Sequence, residues 1–197
     1  MGYPLLDVKA VLVNGSHQFL FGYFDSYLHF LRLRKISFRL NRWLSLSLHL
    51  GSLRLQVLSA PGHAPDHCVI FEPEEGLLWA GDMLSEIEVP MPMDGFASYR
   101  RTLDALYRRR VDLLVPGHGS VTADAQEIHR RFDQDRSYLR ALWMCVSSEV
   151  ATGADLETTL AVCQDVPFAQ PDTYPNAHRW NIEQAYLELE GPNVPDG

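Results

Sequence analysis

The stretch LRLQVLSAPGHAPDHCVIFEPEEGLLWAGD, Leu53 to Asp82, decides the fold of this 197-residue chain. Leu53, Leu55 and Val57 alternate with polar residues, the period of a strand with one buried face. That strand runs into Ser59-Ala-Pro-Gly-His63-Ala-Pro-Asp-His67. His67–Phe71 and Leu77–Ala80 read as two further short strands joined by the acidic turn Glu72–Gly76, and the second ends in Ala80-Gly-Asp82. Just upstream, Leu44, Leu46, Leu48 and Leu50 alternate as well, and Gly51–Ser52 breaks the run. Alternation on both sides of a two-residue break predicts a hairpin.

Working outward, Phe96–Arg110 carries Leu103, Leu106 and Tyr107 at helical spacing with a basic end. Val111–Val115 predicts a buried strand that opens into Pro116-Gly-His118-Gly119. Helices are predicted at about 123–151, 155–164 and 177–190, separated by Gly153 and by the Pro-rich stretch Pro167–Pro175. Towards the N-terminus, Lys9–Val13 reads as a short strand ended by Asn14–Gly15, and residues 17–33 are hydrophobic without clear period. Strands and helices together exclude an all-helical or all-strand chain.

Composition is globular, with 46% hydrophobic residues and a net charge of −8. An acidic total argues against general nucleic-acid binding, which needs clustered positive charge. The charge is unevenly placed. Residues 1–57 hold 7 basic and 2 acidic side chains, for +5, which leaves 10 basic and 23 acidic beyond, for −13. No Glu precedes Glu72, and no proline lies between Pro4 and Pro61. Cys68, Cys145 and Cys163 are odd in number, far apart and without CxxC spacing, so they form neither a complete disulfide framework nor a zinc knot, and a reducing, cytoplasmic setting is expected. The N-terminus lacks the charge order of a signal peptide. Phe19–Leu33 is aromatic and leucine-rich, but Asp25 and His29 interrupt it, so no membrane span is expected; a peripheral membrane contact is the alternative.

Three motifs carry the chemistry, and each follows a strand: His63 in PGHAPDH, Asp82 in AGD and His118 in PGHG. Imidazole and carboxylate on glycine turns suit a borderline metal such as Zn²⁺, and a carboxylate can bridge two cations. His63 and His67 have helical spacing, but the nearby prolines exclude a helix-borne His pair. Taken singly, each motif also has a plain reading: a Gly-His turn with a satisfied ring, or an Asp capping the next segment. No GxSxG elbow and no phosphate-cradling glycine loop occurs, which leaves serine hydrolysis and nucleotide binding without their residues. Arg108–Arg110 closes a helix into solvent or guides an anionic substrate.

The ordered triple PGHxPxH, GD, PGHG resembles the C-terminal half of the metallo-β-lactamase superfamily, which includes hydroxyacylglutathione hydrolases and acyl-homoserine lactonases. The resemblance runs from about Leu48 to Val121. It implies an α/β fold, an αββα sandwich incomplete at its N-terminal side, and a metal-dependent hydrolase of an ester, thioester or lactone in a small-molecule substrate. It also implies that His63 binds a first metal, Asp82 bridges two metals and His118 binds the second. His67 would support the site without ligating. The helical part, 123–197, resembles a variable C-terminal extension, beside a metallo-β-lactamase-like domain over 1–122.

The family's HxHxDH motif is absent. If the strand Lys9–Val13 aligns, His17 takes the place of its second His, and Gly15, Phe19 and Leu20 occupy the other positions. With His17 admitted as a weak ligand, the first metal keeps three protein ligands and the second two; a catalytic zinc normally needs three. Reduced occupancy and impaired hydrolysis are therefore expected. Three explanations stay open: a fragment or corrupted N-terminal part (residues 1–45 are atypical), a non-catalytic binding or scaffold relative, or a hydrolase built on His63, Asp82 and His118 alone. The scaffold reading expects self-association through the apolar segment Phe19–Phe30.

Overall fold

A computed structural model of the chain describes residues 45–50, 53–169 and 176–191. The readings made for Lys9–Val13, His17 and Phe19–Leu33 lie outside them. Five strands form one sheet in sequential order: β1 (Ser45–Leu50), β2 (Leu53–Ser59), β3 (Cys68–Glu72), β4 (Leu77–Gly81) and β5 (Leu113–Pro116). The first four pair antiparallel, with Leu50 opposite Leu53 as the alternation predicts. β5 pairs parallel to β4. Parallel neighbours need a crossover, and α1 (Phe96–Tyr107) supplies it. The helices α2 (Ala125–Ala151), α3 (Leu156–Cys163) and α4 (Ala177–Glu190) follow.

Strand alternation gives the sheet two apolar faces. Leu58, Val69, Phe71, Leu78, Ala80 and Leu114 form one core with Phe96, Tyr99 and Leu103 of α1 and with Phe132, Leu139 and Leu142 of α2. α4 adds Ile182 and Ala185 to the same cluster. Each such leucine or phenylalanine, fully buried, contributes about 1.5–3 kcal/mol. On the opposite face Val57, Ile70, Trp79 and Val115 stand in one row across four strands. Both faces are therefore apolar, as in a sheet layered on each side.

Caps fix where the helices begin. The Asp124 side chain accepts the Gln126 N–H at 2.9 Å, and that of Asp155 accepts the Thr158 N–H at 2.8 Å. The first amide of α1 has no such local acceptor; the Phe96 N–H donates instead to the Glu188 carboxylate of α4 at 2.8 Å. Among the described residues no helix is long and apolar enough to cross a membrane.

Three readings change in detail. α1 ends at Tyr107 rather than Arg110, and Arg109 lies over the Phe71 ring, 5.1 Å from its centroid. Glu72, expected in the acidic turn, instead closes β3 and is only 2% exposed, and its carboxylate accepts the N–H groups of Glu74 and Glu75. The cysteine count misled most. Cys145 of α2 and Cys163 of α3 form a disulfide, and Cys68 alone remains free. An odd count forbids complete pairing but not one bridge, and helix packing brings these two together. The cysteine argument for a reducing compartment loses its ground.

Candidate functional site

β2 and β4 run in the same direction because β3 lies antiparallel between them, and β5 runs with β4. Three strands thus point their C-terminal ends at one edge of the sheet. The three motifs follow those three ends, so sheet direction alone gathers them. The loop after β2 is closed by Ala60 N–H donating to the His67 carbonyl at 2.9 Å. It is pinned to α1, where the Thr102 hydroxyl donates to the Pro61 carbonyl at 2.6 Å. Gly62 has φ +139 and lies so close to Tyr99 that any β-carbon would meet the Tyr99 backbone. The loops after β4 and β5 touch directly, with Gly117 N–H donating to the Gly81 carbonyl at 2.6 Å.

The result is a carboxylate between two imidazoles. His63 Nε2 lies 3.5 Å from Asp82 Oδ2, and His118 Nε2 lies 3.3 Å from Asp82 Oδ1. Both separations exceed a good hydrogen bond. They match the edge of a coordination shell, since two ligands about 2.1 Å from a tetrahedral ion lie roughly 3.4 Å apart. Each oxygen of Asp82 faces its own imidazole, so the carboxylate offers a donor on both sides. His63, Asp82 and His118 therefore fit a divalent ion pairwise. Among the described residues, no group of three or more His, Cys, Asp or Glu side chains is close enough to hold a metal ion. His17 lies outside the described residues.

His67 stands behind the carboxylate. Its Nδ1 meets the Ala60 carbonyl at 3.0 Å, and its Nε2 meets the Asp82 N–H at 3.2 Å. A carbonyl can only accept and an amide can only donate, so Nδ1 carries the proton and the ring is neutral. Burial, the main cause, lowers the His67 pKa and agrees with that state. Gly81, at φ +56, leaves no room for a side chain, because a β-carbon there would lie 2.5 Å from His67 Nε2.

Glu88 and Tyr99 also belong to the site, and sequence reading passed over both. Glu88 Oε1 lies 3.9 Å from His118 Nδ1, on the ring edge away from Asp82. Burial is the main cause raising its carboxyl pKa, and the field of Asp82 adds to it, against His118 and His63. Tyr99 is fully buried under Gly62, and burial pushes its phenol well above the usual range. Glu88 sits in a loop without motif or period, so nothing local marks it. His63 Nδ1 and the Tyr99 hydroxyl are buried without a hydrogen-bond partner among the described residues.

Comparison with known proteins gives the family and the fold. Residues 14–118 match the family model of the metallo-beta-lactamase superfamily. A probable metallo-hydrolase, YqjP of Bacillus subtilis, is 32% identical over 93 residues, covering 41% of this chain and 29% of that protein. Two solved structures share the fold. A sec-alkylsulfatase from Pseudomonas sp. superposes with TM-score 0.62 at 17% identity, over 77% of this chain and 26% of that one. A metallo-beta-lactamase family protein from Thermus thermophilus gives TM-score 0.53 at 23% identity, over 74% of this chain and 48% of that one. This chain thus spans from about a quarter to half the length of these relatives.

Proposed function

The chain belongs to the metallo-β-lactamase superfamily, and from that premise we propose that it is a divalent-metal-dependent hydrolase of an ester, thioester or lactone, with metal occupancy reduced by the absence of HxHxDH. The observation that carries this reading is Asp82, with one oxygen turned to His63 and the other to His118. A divalent ion held there supplies Lewis acidity, acidifying water and drawing charge from a carbonyl oxygen. The protein's own groups do the rest. His63 and His118 would hold the ion through Nε2, the ring nitrogen that faces Asp82 in each. Glu88 lies 3.9 Å from the other nitrogen of His118, where a carboxylate would orient the ring. Position 15 is Gly, 19 is Phe and 20 is Leu, so the family's remaining donors are missing there. Slow turnover follows from that deficit.

Elemental analysis of the purified chain, with a thioester and a lactone as trial substrates, tests the proposal. Zinc below one equivalent is expected, lost in Asp82→Ala and lowered in His118→Ala, with slow hydrolysis that a chelator abolishes. Equal metal content in the parent and in Asp82→Ala would leave the site vestigial and favour the non-catalytic binding module. Fast chelator-sensitive turnover would keep the hydrolase and remove the impairment.

A further inference from the structure

Outside the three motifs, one face of α2 reaches both loops that carry Asp82 and His118. Arg131 and Asp135 lie one turn apart on that face, and they are only 2% and 1% exposed. Buried ionisable groups on a helix are costly unless something demands them. Both side chains end on the site loops. The Leu84 N–H faces the Asp135 carboxyl, and Arg131 lies over the Leu84 carbonyl at 3.5 Å. The same guanidinium donates to the Ser120 carbonyl at 2.9 Å and pairs with Glu86 at 2.8 Å. Glu86 in turn accepts the Ser120 N–H. Glu127, one turn earlier on α2, pairs with Arg131 Nε at 2.8 Å and fixes the guanidinium plane.

The positions gripped are regular. Leu84 lies two residues beyond Asp82, and Ser120 lies two residues beyond His118. Leu84 is also the single described non-glycine residue at positive φ, +61. A leucine is seldom found there unless its surroundings impose the conformation. Here both its backbone polar groups face the buried pair on α2. Gly119 closes the arrangement, since a β-carbon at that residue would run into the Glu86 carboxylate.

We propose that Arg131, Asp135 and Glu86 are positioning residues that set the spacing between Asp82 and His118, by holding the loops after β4 and β5 at a fixed distance from α2. The inference rests on the metal-site reading above. It makes α2, which carries no ligand, part of the apparatus that fixes the ligands, and it explains why ionisable groups are buried at this place.

The test uses the full chain as wild type, Arg131→Lys, Glu86→Gln, Asp135→Leu, Asp135→Asn and Arg136→Gln. Arg136 pairs with Asp104 on the solvent side of the helices and serves as a stability control. Co²⁺ is titrated against each and followed by its visible absorption bands, alongside hydrogen exchange at residues 82–86 and 117–122. Arg131→Lys and Glu86→Gln should weaken Co²⁺ binding roughly 10- to 100-fold, the usual cost of losing a partner behind a ligand. Their absorption bands should shift, and exchange in both loops should speed up. Asp135→Leu should do the same and Asp135→Asn, which keeps an acceptor for Leu84, should recover most of the affinity. Arg136→Gln should leave Co²⁺ binding unchanged. Unaltered Co²⁺ affinity and spectrum in folded Arg131→Lys and Glu86→Gln would overturn the proposal. If the wild type takes up no Co²⁺, the metal reading falls and exchange alone decides: faster exchange in both loops upholds the clamp, and an unaffected loop overturns it.

Discussion

The backbone N–H of Asp82 donates to Nε2 of His67 at 3.2 Å, fifteen residues away along the chain. One neutral ring therefore joins the end of β2, through Ala60, to the end of β4. Deleting it should leave an unpaired amide directly beneath the carboxylate. Because the Asp82 amide is exposed, His67→Ala is expected to cost about 1 kcal/mol in urea unfolding and to lower the metal content of the purified chain. His67→Gln, which can still offer an acceptor, should lose less of both.

Gly62 tests the other wall of the site. Its φ of +139 lies in the region L side chains avoid, and a β-carbon would strike the Tyr99 backbone, which cannot swing aside. Gly62→Ala should destabilise the fold by about 2 kcal/mol or more, combining backbone strain with overpacking. Differential scanning calorimetry should show a lower Tm. A tolerated alanine would mean that the loop holding His63 is free to move off α1.

Much of this architecture was legible because its signals are local. Alternation about Gly51–Ser52 foretold the β1–β2 hairpin, and the Gly-bearing turns marked His63, Asp82 and His118. The family motifs then ordered those three residues along the chain. Glu86, Glu88, Arg131 and Asp135 were not legible, since a charged residue in a loop or on a helix face carries no sign of a partner far along the chain. The Cys145–Cys163 bridge was lost for the same reason: only the packing of α3 on α2 makes them neighbours. Glu72 was placed one residue too late, in the turn rather than in β3, because nothing in sequence marks a carboxylate that folds back on its own turn.

That bridge yields a prediction independent of the metal. It closes a loop with a sequence separation of 18. Constraining a loop of this length in the unfolded chain contributes about 3 kcal/mol in the chain-entropy model. Thermal unfolding with and without dithiothreitol should separate the oxidised and reduced forms, with the reduced form melting lower. The double variant Cys145→Ser, Cys163→Ser should melt low in both conditions. Insensitivity of the parent to reductant would show that the bridge does not constrain the fold.

His178 sets a pH limit on the helical part. The ring is buried, its Nε2 donates to the Cys163 carbonyl at 3.2 Å, and its Nδ1 accepts from the Tyr138 hydroxyl at 2.9 Å. Asn181 completes the line, donating to that hydroxyl at 2.9 Å and to the Pro90 carbonyl at 2.8 Å. Burial, the leading cause, lowers the His178 pKa from its ordinary value of 6.5, and the bond to Cys163 opposes it. The folded state therefore holds fewer protons on this ring than the unfolded state does below that pH. Stability from it is fully present above about pH 6.5 and is lost as the pH falls from there towards the lowered value. His67 is shifted in the same direction and adds to the slope. Urea unfolding from pH 7.5 down to 5 should show a declining midpoint in the parent. His178→Leu should start lower at pH 7.5, since the Tyr138 hydroxyl loses its acceptor, and should then decline less steeply. An equal slope in parent and variant would mean that His178 titrates alike in both states and that its burial leaves its charge unpenalised.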